Sequence, residues 1–439
     1  MSFSSPEDVF AWAESFTNLE RNLPPLDKRA WRLDRMRRLL DAAGRPEAGF
    51  RSFHVAGSKG KGSTAALMAA TLSAAGRTTG LYTSPHVSSP LERISVDGRP
   101  PDARLFAAVG DRARSLVDGL ADSLPGGFSP TTFELLTLLA FLAFRDAGCD
   151  DAVVETGIGG RLDATNVILP EASVVTPLDL EHTDVLGDTI EEIAAEKAGI
   201  VKTGVPAYVA GRPAESKDVF RRAAALRRAP LAFLDEEAAI DAVVSDVGGT
   251  RFTLRLRGES PVALATSMPG AFQAENAALA YLCLRRTRDG ITEAHFRAGF
   301  AAARLPGRME IVPGDPPVVL DGAHTPLAVR RVLESFRALY PAGGVLLFGS
   351  VSGKRPREMA DVLAPAFERI VISRPNAFKP SDPQEVWAIF RTLHRDSELV
   401  EDPGRALERA RELAVGRPIL VTGSFYMVSE IRALLVGVR

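Results

Sequence analysis

From about Phe53 onward, short β-branched runs alternate with longer Ala/Leu-rich stretches of helical period. Strands separated by helix-length crossovers pair in parallel, with the helices covering the sheet, so the chain is read as α/β. The runs SFHVA, TGLYT, DAVVE, ASVVTP and VPAYVAG are the expected strands of a first, mostly parallel sheet. Between Pro230 and Pro269 the segments LAFLD, TRFTLRLRG and PVALATS alternate polar and apolar residues, which predicts an antiparallel appendage on the same domain. A second alternating block begins near Pro316. Its strands are PPVVLDGAH, GGVLLFGS, RIVISRP and RPILVTGS, with LAVRRVLESFRAL and PREMADVLAPAFE as helices, and it predicts a smaller C-terminal α/β domain.

A chain of 439 residues exceeds the size at which one core keeps growing. The Pro/Gly-rich stretch AARLPGRMEIVPGDPP is the expected break, giving domains of residues 1–302 and 303–439. A net charge of −2 leaves no bulk basic field for nucleic acid or an anionic membrane, so the expected partners are small molecules. Cys149 and Cys283 have no metal-ligand spacing, and no apolar run is long enough to span a bilayer. A cytoplasmic monomer is expected.

The first strand-to-helix junction carries HVAGSKGKGST, His54 to Thr64. Gly57, Gly60 and Gly62 allow tight turns that aim backbone N–H groups at phosphate oxygens, Lys61 adds a mobile cation, and Ser63 or Thr64 offers a hydroxyl near a metal. Ser58 and Lys59 complete the loop. It departs from the common phosphate-loop pattern, because Val55 stands where the first glycine belongs and Gly62 separates Lys61 from Ser63.

Other strand ends add to it. Glu155 closes DAVVE ahead of the turn TGIGG, where a carboxylate facing a phosphate loop is a hard ligand for Mg²⁺. Four of the six histidines, His54, His86, His182 and His324, lie in motifs; His54 reads as a packed strand residue, and His295 and His394 as solvent-facing. His182 sits among Asp179, Glu181 and Asp184, and Ser84 precedes His86 in YTSPHV. Lys197 reads on spacing as an exposed helical lysine near Glu196, or else as a desolvated amine open to carbamylation by CO₂. Gln273 and Asn276 near a helix start suit either capping or contact with a base. Arg308 lies at the domain break, Asp321 and His324 at the mouth of the second sheet, and Ser424 near a site for an amino acid. These features admit an ATP-dependent ligase or a P-loop NTPase switch.

The strings HVAGSKGKGST, TSPH, ETGIGGRLDATN, EKAGI, LPGRME and VVLDGAHTP, in this order, resemble folylpolyglutamate synthase/dihydrofolate synthase, a branch of the Mur ligase superfamily. The resemblance implies a P-loop-containing central domain of Mur ligase type and a smaller Rossmann-like C-terminal domain. It implies that Gly57 to Ser63 hold the ATP phosphates, with Asn276, Arg308, Asp321 and His324 completing the nucleotide site. Ser84, Glu155 and His182 correspond to magnesium ligands, and Lys197 to a lysine whose carbamate helps hold a second Mg²⁺. Catalysis would fall to Lys61, His182, Lys197 and Arg308. The pterin-binding positions fall on Thr131, Thr132, Phe133 and Glu134 and on Leu162, Asp163 and Ala164. Implied substrates are ATP, L-glutamate and dihydropteroate or a reduced folate, and the alternative within the superfamily is a cell-wall Mur-type ligase on a UDP-linked precursor. The chain departs from the family at Ser58-Lys59, at Thr325, and in PPLDKRAWRLDRMRRLL, which follows the family's N-terminal pterin-contacting pattern only loosely.

Overall fold

The computed structural model describes residues 2–18, 33–120, 124, 129–375 and 380–437; residues 24–32 of the N-terminal pterin-pattern stretch lie outside them. The first sheet contains β1 (Arg51–Ala56), β2 (Thr79–Tyr82), β3 (Ile94–Val96), β4 (Asp151–Glu155), β5 (Ala172–Val175), β6 (Ala207–Val209) and β7 (Leu231–Phe233). Their order is β3-β2-β4-β1-β5-β6-β7, parallel except for the edge strand β3. Successive side chains on a strand point to opposite faces, so Val153 enters one core while Ala152 and Val154 enter the other. Helices Lys61–Ala74, Phe272–Thr287 and Glu293–Ala302 pack into the first core, and Ala103–Leu120 and Thr132–Asp146 into the second.

A separate antiparallel sheet is formed by β8 (Ala238–Asp246), β9 (Gly249–Leu256) and β10 (Val262–Thr266). LAFLD, expected in this appendage, instead supplies β7, which lies parallel to β6 at the edge of the main sheet. The antiparallel position is taken by β8. Three residues of strand carry too little periodicity to select a partner or a direction.

The second sheet contains β11 (Glu310–Val312), β12 (Val318–Leu320), β13 (Val345–Phe348), β14 (Arg369–Ile372), β15 (Ser397–Leu399) and β16 (Ile419–Thr422), in the order β11-β12-β16-β13-β14-β15. Only β11 runs antiparallel, and both faces are covered, with Leu346 and Phe348 on one side and Val345 and Leu347 on the other. Residues 303–309 join helix Glu293–Ala302 to β11.

One contact ties that last helix to the phosphate loop. A Cβ built on Gly299 would lie 2.4 Å from Thr71 Cα, so helices Lys61–Ala74 and Glu293–Ala302 meet backbone to backbone. No helix among the described residues is long and apolar enough to cross a membrane, and both cysteines are buried and unpaired.

Candidate active site

Parallel sheets place ligands at the carboxyl ends of their strands, and here the ends of β1, β4 and β5 face the end of β12 across a cleft. The cleft is lined by Ser58 to Ser63, Ser84, Glu155, Glu181, His182, Asn276, Arg308, Asp321 and His324. The structure thus gathers the sequence-nominated nucleotide and metal residues in one place, except that Gly57 and Lys197 lie immediately behind the lining, bonded to each other, with Lys197 also bonded to Glu181.

The phosphate loop is strained as its glycines require. Gly60 has φ +91°, and a Cβ there would strike Asn276 Oδ1 at 2.2 Å. Gly60 also supplies no side-chain cap to the helix beginning at Lys61, which leaves the first-turn amides to an anion. The amides of Ser58 and Lys59 already donate to the Pro177 carbonyl, each at 3.1 Å, so the anion-seeking stretch begins at Gly60. Lys59, also in the cleft lining, pairs with Glu181 at 3.3 Å and Asp179 at 3.9 Å.

Glu155 is buried and accepts the Ser84 N–H at 3.0 Å. Burial raises its pKa, against the pull of Lys61, Arg308 and Arg93. A buried carboxylate of this kind beside a side-chain-free Gly62 is a fitting donor for a hard cation. Among the described residues no group of three or more His, Cys, Asp or Glu could hold a metal alone. Mg²⁺ commonly takes one or two protein oxygens and completes its shell with phosphate and water, so Glu155 with the Ser84 hydroxyl fits that requirement.

Lys197 is not an exposed helical lysine. Its ammonium is enclosed, donating to Gly57 O at 2.7 Å and to Glu181 Oε1 at 3.3 Å. Burial lowers its pKa to about 8, with Glu181 opposing and Lys61 reinforcing the shift. Glu181, whose burial alone would favour the acid form, is held well below the usual carboxylate range by Lys197, Lys61 and Lys59. His182 adopts a left-handed backbone, φ +49°, at the start of a short helix. Its side chain opens onto the cleft, yet desolvation by the surrounding protein lowers its pKa to about 4, with Lys61, Lys197 and Lys354 adding to the effect and Glu181 opposing it, which favours the neutral imidazole that ligates cations.

The second sheet closes the cleft. Arg308 stacks over the Phe425 ring at 4.2 Å, and burial lowers its pKa while Asp321 and Glu155 oppose the shift. Asp321 accepts the N–H groups of Met309 and Ala323, each at 2.9 Å, fixing the backbone next to Arg308. His324 Nδ1 lies 2.9 Å from Gly322 O, and burial depresses its pKa to about 3. Asn276 donates to Gln273 at 2.8 Å. Phe272, Glu275 and Arg331 also line the cleft, although the sequence reading passed over them, because their helix positions carry no local signal.

The nominated pterin residues lie outside this lining, and several are already engaged. Glu134 caps its own helix through the Thr131 N–H at 2.7 Å and binds buried Arg35 through both carboxylate oxygens, at 2.9 and 2.8 Å. Thr132 donates to Phe16 O at 3.1 Å. Asp163 accepts from Gly157 N at 2.9 Å and Ile158 N at 3.1 Å, holding the TGIGG turn in shape. Phe133 packs on Tyr82, with ring centroids 5.9 Å apart, and approaches Gly157 closely. Leu162 is half-buried and Ala164 buried. Elsewhere, His86 accepts from Arg93 Nε at 2.9 Å, and the Ser424 hydroxyl caps its helix by accepting from Met427 N at 3.1 Å. The two histidines expected to face solvent are half-buried: His295 accepts from Thr292 N at 3.2 Å, and Nδ1 of His394 is enclosed.

A phosphate loop and a buried carboxylate on one sheet, opposed by an arginine from a second α/β unit, define an ATP-dependent amide-forming ligase of the Mur type. Residues 55–284 match the Mur ligase middle domain and residues 307–425 the Mur ligase glutamate ligase domain. The chain is 34% identical to the dihydrofolate synthase/folylpolyglutamate synthase of Bacillus subtilis, over 92% of this chain and 94% of that protein. It is similar in structure to the Mycobacterium tuberculosis folylpolyglutamate synthase complexed with ADP, at 29% identity and TM-score 0.89, covering 98% of each chain. A folylpolyglutamate synthase solved with AMPPCP and folate is 30% identical with TM-score 0.84, covering 98% of this chain and all of that one. The chain belongs to the folylpolyglutamate synthase/dihydrofolate synthase family.

Proposed function

We propose that the chain phosphorylates the free carboxylate of a dihydropteroate or reduced folate with ATP, then joins it to L-glutamate. The observation that carries the reading is the convergence of Lys61, Glu155 and Arg308 from two sheets on one cleft. A carboxylate is a poor acylating agent. Its oxygen attacks the γ-phosphorus, the bond to ADP breaks, and the glutamate amine then attacks the acyl carbon, losing a proton and expelling phosphate. Lys61 and Arg308 lie where charge on the transferred phosphoryl group would need neutralising. Bound Mg²⁺ would supply further charge neutralisation, and Ser84, Glu155 and His182 are the residues suited to hold it. Closure of the two units over the cleft would exclude water that would hydrolyse the acyl phosphate. Lys197 is suited to carbamylation, since a depressed pKa exposes a neutral amine to CO₂.

The solved relative carrying AMPPCP and folate supports this choice of nucleotide and acceptor, and the family match weighs against a UDP-linked precursor or a switch without an amide product. The test incubates the protein with ATP, Mg²⁺ and labelled L-glutamate, with dihydropteroate and tetrahydrofolate offered separately. At least one acceptor is expected to gain a glutamate, with phosphate release dependent on glutamate and lost when Mg²⁺ is omitted. Phosphate release indifferent to glutamate, with neither acceptor labelled, would overturn the reading.

A further inference from the structure

Arg432 lies outside the cleft, on helix Phe425–Val436 of the second unit, yet its guanidinium reaches across to the first. Its Nε donates to both carboxylate oxygens of Glu310, at 3.0 and 2.9 Å. Its Nη1 donates to Ser88 Oγ at 3.1 Å and to Glu92 Oε1 at 3.4 Å, partners more than 300 residues away in sequence. The group is largely shielded, with side-chain exposures of 15% for Arg432, 21% for Glu310 and 20% for Glu92.

Each partner is tied to a part of the site. Glu310 also accepts the Gly307 N–H at 2.8 Å, the residue immediately before Arg308. Glu92 accepts the N–H groups of Val87 at 2.6 Å and Ser88 at 3.1 Å, closing the loop that begins at Ser84. Gly307 itself is wedged between these elements: a Cβ there would meet Val87 at 3.0 Å and Val428 at 3.2 Å. One planar cation therefore clamps the segment carrying Arg308 against the loop carrying Ser84, and a guanidinium can do so because its fork serves two carboxylates at once.

We propose that Arg432 is a positioning residue for the ligase reaction: a latch between the two units that sets the placement of Arg308 opposite Ser84, Glu155 and Lys61. The claim rests on the reading above only through its assay. Arg432→Met, Glu92→Gln and the double variant are compared with the parent protein for kcat and for KM of ATP and glutamate. Displacement of a charge-neutralising group by about 1 Å lowers kcat by roughly 10- to 100-fold, and KM for ATP should change far less. Because the two residues act as one unit, the double variant should be no slower than the slower single variant. Arg432→Lys, which engages one carboxylate at a time, should fall between the parent and Arg432→Met. Should Arg432→Met fail to fold, the Glu92→Gln and Arg432→Lys variants decide. Unchanged kcat in either, or losses that multiply in the double variant, would overturn the latch. If the parent protein ligates neither acceptor, the functional reading fails, and amide exchange at residues 87–89 decides the latch instead. Faster exchange in the variants supports it, and unchanged exchange overturns it.

Discussion

At Lys197 an ammonium group is enclosed by protein, with a backbone carbonyl on one side and a carboxylate on the other. Lowering the pKa from 10.5 to about 8 raises the neutral fraction near physiological pH several hundred-fold, and it is the neutral amine that attacks CO₂. Activity of protein stripped of CO₂ is therefore expected to fall and to recover on adding bicarbonate, measured as initial ligation rate; equal rates with and without bicarbonate would discard the carbamate. Little of this environment could be read from the sequence. Lys197 is the last residue of helix Ile190–Lys197, and its partner Gly57 is 140 residues away. Glu155, by contrast, was legible, since a strand that ends in an acid beside a glycine turn delivers that acid to the sheet's ligand edge. Glu134 shows what a motif leaves unsaid. TTFE attracts attention as a motif, but its carboxylate is consumed by a capping box and by Arg35, 99 residues distant.

Among the elements, length alone does not decide what is legible. The three-residue strands β6 and β12 were read within VPAYVAG and PPVVLDGAH, whereas β3, β11 and β15 escaped notice and β7 was read into the wrong sheet, because alternation over three positions is compatible with any neighbour. Nine-residue β8 escaped as well, since it buries neither face and so shows no alternation. The contact between helices Lys61–Ala74 and Glu293–Ala302 was equally hidden, although it depends on one glycine. Gly299→Ala would drive a methyl group into the backbone of Thr71, at 2.4 Å from Cα and 2.6 Å from N. Backbone cannot rotate aside as a side chain can, so the helices must part, at a cost of about 1–3 kcal/mol. A lower urea midpoint with an unchanged m-value is expected, and an unaltered midpoint would show that the crossing has slack.

For the molecule as a whole, a buried neutral histidine makes acid a specific threat. His54 Nε2 lies 2.8 Å from Thr165 Oγ1, whose proton goes to Asp163, so the ring carries its hydrogen on Nε2 and leaves Nδ1 bare and enclosed. Burial lowers its pKa to about 3, with Lys202 adding to the shift. Between pH 6.5 and 3 the unfolded chain binds protons at His54 that the folded protein refuses, so stability present above 6.5 is lost as pH falls. From pH 7 to 5.5 His54 alone accounts for about 1 kcal/mol. Denaturation of His54→Gln is expected to depend less on pH over that interval by this amount, and identical slopes would refute the assignment.

The close crossing of the two helices also bears on how the units communicate. The helix that opens at the phosphate loop lies directly on the helix whose end launches the chain toward Arg308. Close-packed backbones transmit displacement without a compliant layer between them. A triphosphate settling onto the loop would therefore push on a rigid lever rather than a cushion, and news of an occupied nucleotide site would reach the opposite wall of the cleft through the skeleton of the protein.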